Sequence, residues 1–326
     1  MMDHTDRHYR YFLRLISRRV LLYTEMVTTG ALIHGDRASF LAHHPDEYPL
    51  AIQLGGSEPT EMARCARLAE AAGFDEVNMN VGCPSDRVQS GRFGACLMLE
   101  PQRVADCVAA MGKAVDIPVT VKTRLGVDDQ DAYADLRRFV QTVADAGCQT
   151  FVIHARKAWL NGLTPRENRE IPPLDYPRVH RLKAEHPDLN IVINGGIRDL
   201  SQATEQLEHV DGVMIGREAY LNPFMLAEAD SDLFGESPNE HSQHEIVRAF
   251  LPYVEEQLEA GVYLSHMTRH LLGLFHGMPG ARAWRRYLSV HASRPGADVE
   301  VIEAALAHVP EEALGRSVSP EVASAR

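Results

Sequence analysis

The feature that most constrains the fold is an alternation of short apolar runs, each ending in polar or glycine residues, with stretches of helical period. This alternation is typical of a parallel sheet whose strands are joined by crossover helices, which is the α/β class. We predict seven strands, at Val20–Glu25, Leu50–Leu54, Glu76–Asn80, Val119–Thr123, Thr150–His154, Ile191–Asn194 and Gly212–Ile215.

The segments between the runs have amphipathic helical periodicity. In residues 101–111, Val104, Cys107, Val108 and Met111 recur at i, i+3, i+4 and i+7, so they share one face. Residues 61–73 repeat the pattern and end at Gly73, a common helix stop. The repeat predicts a (β/α)₈ TIM barrel, a fold of about 250 residues.

A closed barrel of this type has eight strands, and we count seven. The opening residues MMDHTDRHYR are typical of a loop after a strand, and a helix follows through Phe12, Leu13 and Ile16. We therefore expect the first strand to be truncated here and to lie upstream of Met1, because two strands would otherwise have unpaired edges.

Strand signals stop after about residue 243. Residues 229–243 are polar and rich in turn formers, which predicts a linker. Four helical segments follow, at residues 244–261, 264–277, 281–293 and 299–309. In this chain of 326 residues we predict a barrel domain over 1–235 and an all-α domain over 244–326.

Composition excludes several classes of protein. Hydrophobic residues make up 45% of the chain and charged residues 24%, which argues against disorder. There is neither an apolar run of about 18 residues nor a secretory leader, so we expect a cytoplasmic protein without a membrane span. The net charge of -12 excludes coating of nucleic acid by bulk charge, so any RNA binding requires a local basic patch.

In such barrels the active site lies at the carboxyl ends of the strands, and a phosphate site is common in the last two loops. Those loops contain Asn194-Gly195-Gly196 and Gly216-Arg217. Small residues let backbone N–H groups approach a phosphate, and Arg217 adds charge. Either glycine pair alone could simply form a tight turn; the two together favour a phosphorylated cofactor.

Three polar residues, Gln53, Lys122 and His154, follow apolar runs at other strand ends. A flavin needs hydrogen-bond partners along its pyrimidine edge and a cation near N1 and C2=O, roles that suit Gln53 and Lys122. Singly, Lys122 could form an ordinary ion pair and His154 could be structural. As a ring of three, they favour a functional site.

Of five cysteines, Cys83 is the candidate reactive thiol because Gly82 and Pro84 place it in a rigid, exposed turn. We expect core positions for Cys65, Cys96, Cys107 and Cys148. The odd number and the absence of metal-binding spacing predict reduced thiols without a structural metal. A thiol is mostly protonated at neutral pH and can act as a general acid, whereas a nucleophile would need a base that the sequence does not identify.

The chain resembles the tRNA-dihydrouridine synthases, and within them the A-type. The matching segments are MMDHTDRHYRYF, TEMVTTGAL, QLGG, NMNVGCPSDRVQSGRFGACLM, VKTRLG, VIHARKAWLNGLTPRENREIPPLDY, NGGI and MIGREAYLNP. They span nearly the whole chain, and the cysteine loop and the HARKAWLNGLTP stretch are the most specific.

The resemblance implies a cofactor, a substrate and their contacts. It implies FMN bound through Met1, Met2, Gln53, Lys122, His154, Asn194, Gly195, Gly196, Gly216 and Arg217. It also implies reduction of the flavin by NADPH, hydride transfer to C6 of a flipped-out uracil, and protonation of C5 by Cys83. The implied substrates are D-loop uridines 20 and 20a of tRNA, contacted by Asn80, Arg166, Arg169, Arg282 and Arg285.

Arginines support this expectation because they cluster in residues 156–169 and again in 282–286, although a lone arginine is more often just solvated. We expect a monomer.

Two other functions stay open. A flavin barrel that reduces a small molecule, such as a dihydroorotate or enoate reductase, would explain the cofactor ring but not the helical domain. A non-enzymatic RNA-binding scaffold would leave the reactive loop without a role.

Overall fold

The sheet consists of seven parallel strands that lie side by side in chain order. The computed structural model describes residues 1–311, except the side chains of residues 86 and 87. The strands are β1 Leu22–Thr28, β2 Leu50–Gly55, β3 Glu76–Asn80, β4 Val119–Arg124, β5 Thr150–His154, β6 Asn190–Asn194 and β7 Gly212–Met214. All seven predicted strands are thus confirmed, two of them with the predicted bounds.

The first strand begins later than predicted. The carbonyl of Val20 accepts a hydrogen bond from the Arg14 guanidinium at 3.0 Å, so it takes part in a turn. The ladder begins where Leu22 pairs with Leu50. The contact between Arg14 and Val20 thus lies just before the start of β1, and local sequence does not specify it.

The curled parallel sheet has β1 at one edge and β7 at the other, and the described residues contain no pairing between them. The closed eight-stranded barrel stays a prediction.

Helices cover the sheet, as the repeat predicted. Among the described residues they are α1 Arg7–Ile16, α2 Thr29–His34, α3 Arg37–Leu41, α4 Pro59–Ala71, α5 Asp86–Ser90, α6 Pro101–Gly112, α7 Tyr133–Asp145, α8 Tyr176–Glu185, α9 Leu200–Leu207, α10 Arg217–Leu221, α11 Ala229–Phe234, α12 Gln243–Glu259, α13 Leu264–Thr268, α14 Ala281–His291 and α15 Val299–Leu306. The predicted apolar face of α6 is buried: Val104, Cys107, Val108 and Met111 are at most 2% exposed. None of the helices in residues 1–311 has the length and apolar character that a membrane crossing requires.

The predicted linker is wrong over its first part. Residues Ala229–Phe234 form α11, and Asp230 is 1% exposed. Its carboxylate accepts hydrogen bonds from the backbone N–H groups of Arg18 and Arg19, at 2.7 and 3.1 Å, just after α1. A buried carboxylate thus ties this polar segment to the rest of the fold.

The segment after residue 243 is helical, and it packs on α1. The ring of Tyr11 stacks on Tyr253 of α12 with centroids 4.0 Å apart. Asp6 caps α1 and also accepts hydrogen bonds from Arg269 and His270, which follow α13. Of predicted helix 264–277, only Leu264–Thr268 is an α-helix. Residues 312–326 of the predicted all-α domain lie outside the described residues.

Candidate active site

The carboxyl edge of the sheet brings together the polar residues predicted at the strand ends. Asn80 on β3 is in register with Lys122 on β4, and His154 on β5 is in register with Asn194 on β6. Gln53 on β2 pairs with Asn78 of β3. Residues that are far apart in sequence therefore line one edge.

Lys122 is the central cation of this edge. Its Nζ donates to Asn194 Oδ1 at 3.1 Å, and the Asn194 amide in turn donates to the Met214 carbonyl at 2.7 Å. Burial, with a smaller contribution from the charge of Arg124, lowers the pKa of Lys122 to about 7. Near neutral pH the side chain is therefore present both as the ammonium and as the neutral amine.

The Cys83 turn is held by its own strand. Asn80 Oδ1 accepts hydrogen bonds from the backbone N–H groups of Gly82 and Cys83, at 3.1 and 3.0 Å. The half-buried thiol lies 3.5 Å from the Ser85 hydroxyl. Cys65, Cys107 and Cys148 are buried as expected, whereas Cys96 is only half-buried in a 3-10 helix.

Arg124, which sequence reasoning missed, joins two loops of the site. It is 3% exposed and donates to the carbonyls of Gly82, Lys157 and Asn168, at 2.9, 3.1 and 2.8 Å. Burial lowers the pKa of its guanidinium to about 10. Arg124 thus fixes the Cys83 turn against the loop after β5.

His154 lies among these cations. Its burial, together with the charges of Arg124 and Lys122, holds the pKa of the imidazole well below its usual value. The ring is therefore neutral at pH 7, and it can donate one hydrogen bond and accept another.

The glycine loops after β6 and β7 are crowded. Gly195 and Gly196 have φ of 115° and 75°, and a Cβ on Gly195 would lie 2.7 Å from the His154 ring. Only glycine suits both the conformation and the close approach. A Cβ on Gly216 would lie 3.4 Å from the Met1 sulfur, so Met1 borders this loop. Met2 is 54% exposed.

The predicted RNA-contacting arginines are exposed. Arg166 and Arg217 both face Glu170, with N–O distances of 3.6 and 2.8 Å, and Arg169 lies beside them. Arg282 and Arg285 lie on the outer face of α14, whose inner face buries Trp284. No ion pair involving either of these two is found within residues 1–311. The same residues contain no group of three or more histidine, cysteine or acidic side chains arranged to hold a metal.

Comparisons with known proteins identify the family. The sequence model of the dihydrouridine synthase (Dus) family matches residues 1–310. A tRNA-dihydrouridine(20/20a) synthase of Vibrio cholerae is 59% identical over 316 residues, which are 97% of this chain and 96% of the relative. A tRNA-dihydrouridine(20/20a) synthase of Escherichia coli is 61% identical over 307 residues, 94% of this chain and 89% of the relative.

Among solved structures, morphinone reductase has a similar fold. Its TM-score is 0.51 at 12% sequence identity, over 75% of this chain and 85% of that chain. At this identity the likeness concerns the fold alone. The family match covers nearly the whole chain, so the chain belongs to the dihydrouridine synthase family and is an oxidoreductase.

Proposed function

We propose that this chain reduces the C5=C6 bond of uridines 20 and 20a in the D-loop of tRNA, with FMN as cofactor and NADPH as reductant. The names of the relatives in Vibrio cholerae and Escherichia coli support the substrate. One observation carries the mechanism: the Cys83 turn is fixed at the same edge of the sheet as Gln53 and Lys122.

The residues at this edge fit FMN. Gln53 uses one amide hydrogen on Asn78 and keeps a second for a ring carbonyl, and Lys122 supplies the cation that N1 and C2=O favour. His154 adds a neutral hydrogen-bonding ring. We assign the phosphate to the N–H groups of Gly195, Gly196 and Gly216, with Arg217 and Asn194 beside them, and contacts with the flavin to Met1 and Met2.

We assign the proton at uracil C5 to Cys83. When bound and reduced by NADPH, the flavin would supply the hydride that adds to C6, and one proton at C5 would complete the reduction. Asn80 and Arg124 bind the N–H and the carbonyl of Gly82, so the backbone next to Cys83 is held in place. Lys122 and Arg124 lie within electrostatic range of the thiolate that remains. That thiolate then takes a proton from solvent.

For the substrate, we propose that Arg166 and Arg169 after β5 and Arg282 and Arg285 on α14 bind tRNA phosphates. The second amide hydrogen of Asn80 would face the flipped-out base. In this proposal, residues 1–235 form the flavin-binding barrel domain, and residues 244–326 form the tRNA-binding domain. The enzyme would act as a monomer in the cytoplasm.

The first test is replacement of the thiol. Cys83→Ala is expected to slow dihydrouridine formation in tRNA by about 10²–10⁴-fold, as for loss of a general acid, with flavin absorbance unchanged. The control is Cys96→Ala, since Cys96 is also half-buried but lies outside the turn. Equal turnover of wild type and Cys83→Ala would remove Cys83 from the mechanism.

The cofactor and the substrate have separate tests. Purified protein without flavin absorbance would contradict FMN as the cofactor. If tRNA from cells lacking the gene still contained dihydrouridine at positions 20 and 20a, the proposed substrate would be contradicted.

A further inference from the structure

A continuous chain of side-chain hydrogen bonds runs from the start of β3 to the Cys83 turn. We call it the amide chain, and its members in order are Glu76, Thr120, Asn78, Gln53 and Asn80. The Thr120 hydroxyl donates to Glu76 Oε1 at 2.6 Å, and the Asn78 amide donates to Thr120 at 2.8 Å. Gln53 donates to Asn78 at 2.9 Å, and Asn80 donates to Gln53 at 2.8 Å. Every bond is thus donated toward Glu76.

Both ends of the amide chain require this direction. The backbone N–H groups of Gly82 and Cys83 can only donate, and they fix the Asn80 oxygen as their acceptor. At the other end, burial raises the pKa of Glu76, but Oε1 is the acceptor of both the Thr120 and the Tyr23 hydroxyls, which orients the Thr120 hydroxyl as a donor. The three amides between these ends therefore have one orientation that satisfies the whole chain.

Because the amide chain is buried, reversing one of its amides would cost free energy. Asn78 is 0% and Thr120 is 1% exposed, so solvent has little access to replace a lost bond. A reversed amide would place two donors or two acceptors face to face, which is costly in a buried network. It would also make Gln53 offer an oxygen where the flavin carbonyl requires an N–H.

We propose that Glu76 is a positioning residue that, through the amide chain, sets the direction of the Gln53 amide and the conformation of the Cys83 turn. The roles given to Gln53 and Cys83 rest on the proposed function, whereas the structural coupling does not. Glu76 is the first residue of β3, and the turn follows the last. The residue therefore acts on the site without touching cofactor or substrate.

Tyr23 offers a matched control. Its hydroxyl also donates to Glu76 Oε1, at 2.7 Å, but it lies outside the amide chain. Tyr23→Phe and Thr120→Val each remove one hydroxyl bond to the same oxygen, but Thr120→Val also removes the acceptor of the buried Asn78 amide and so interrupts the chain. Tyr23→Phe therefore tests the loss of a bond to Glu76 alone, and the variants of Glu76 itself separate its role from that of Thr120.

The experiment has two measurements on the full chain: amide hydrogen exchange of residues 80–85 after FMN is removed, and the Kd for added FMN. Thr120→Val is expected to speed exchange at Gly82 and Cys83 and to weaken FMN binding, each by at least roughly 3- to 10-fold, the effect of one lost hydrogen bond, because it removes both the bond to Glu76 and the acceptor of the Asn78 amide. Tyr23→Phe is expected to change neither. In a Gln53→Ala background, Thr120→Val is expected to leave the Kd unaltered, because the two residues act through one path.

Two substitutions of Glu76 itself provide a second test. Glu76→Gln keeps an oxygen that can accept both hydroxyls and is expected to behave as wild type, whereas Glu76→Ala is expected to resemble Thr120→Val. If Glu76→Ala does not fold, the Thr120→Val and Tyr23→Phe pair still decides. Equal behaviour of that pair, or unchanged exchange in Thr120→Val, overturns the proposal. If wild type binds no FMN but Thr120→Val still speeds exchange, the cofactor assignment fails and the role of Glu76 stands.

Discussion

The charge of Lys122 depends on pH near neutrality. Its pKa falls from 10.5 to about 7 because of burial, so in the flavin-free protein it is mostly neutral above pH 7. The unfolded chain would bind the extra proton between pH 7 and 10.5. The contribution of Lys122 to the stability of the flavin-free protein therefore rises with pH across that window.

The same shift predicts pH-dependent cofactor binding. If FMN binds the ammonium form, binding above pH 7 takes up a proton, so the Kd for FMN rises with pH, at most about tenfold per unit. Lys122→Met is expected to bind more weakly and to lose this slope, as measured by flavin fluorescence from pH 6.5 to 9. The control is Lys183→Met, which removes a lysine paired with Asp211 at 2.8 Å. An identical slope in Lys122→Met would exclude the ammonium from the flavin site.

Some site residues could be predicted at this scale and others could not. Gln53, Lys122 and His154 stood out because each ends an apolar run. Asn78 was missed although Glu76, Asn78 and Asn80 alternate along β3 and so share one face, a signal of a polar interior. Arg124 was missed because its role comes from carbonyls that only the folded chain brings to it.

At the scale of elements, α14 has one buried face and one exposed face. Trp284 is fully buried against Phe275, with ring centroids 5.0 Å apart, and its indole N–H donates to the Leu271 carbonyl at 3.1 Å. This packing directs Arg282 and Arg285 outward. The helix thus presents its cations in a fixed arrangement.

Joint replacement of Arg282 and Arg285 by alanine is expected to weaken tRNA binding and to flatten its salt dependence. Two fewer counterions would be released, so the slope of log K against log salt would become less negative by roughly one to two. The control is Arg64→Ala with Arg67→Ala, two exposed arginines on α4. Filter binding at several salt concentrations measures both, and unaltered affinity and slope would mean that tRNA does not contact α14.

The strands were predictable because buried parallel strands are short apolar runs with clear ends. The predicted helix over 264–277 was largely wrong. Beyond Thr268 the chain continues as successive turns with i→i−3 backbone hydrogen bonds, such as Leu271 to Thr268 and Leu274 to Leu271, and it packs closely against the Leu221 carbonyl at Gly273. The apolar period does not distinguish such turns from a regular α-helix.

At the scale of the whole molecule, Asp6 connects the start of α1 to the segment after α13. Burial opposes its ionisation, but hydrogen bonds, first from His270, hold the pKa of Asp6 well below its usual value. The contribution of Asp6 to the stability of the folded protein is therefore present at neutral pH, and it is lost only as pH falls through that low pKa.

Asp6→Ala removes a helix cap and this connection together. We expect the midpoint of thermal unfolding to fall by roughly 3–8 °C. The control is Asp36→Ala, which removes the cap of the short helix α3 alone and is expected to cost about 2 °C or less. Calorimetry measures both, and equal shifts would show that Asp6 contributes only as a cap.

The cations gathered at one edge of the sheet have a consequence for molecular encounters. The chain as a whole carries a net charge of -12, so a polyanion approaching most faces is pushed away. The exposed arginines after β5 and β7, Arg166, Arg169 and Arg217, form a local patch of positive charge, whose attraction at physiological salt is largely screened beyond about 8 Å. Any orienting effect of these arginines on a polyanion would therefore begin only within about that distance, and it would weaken as the salt concentration rises.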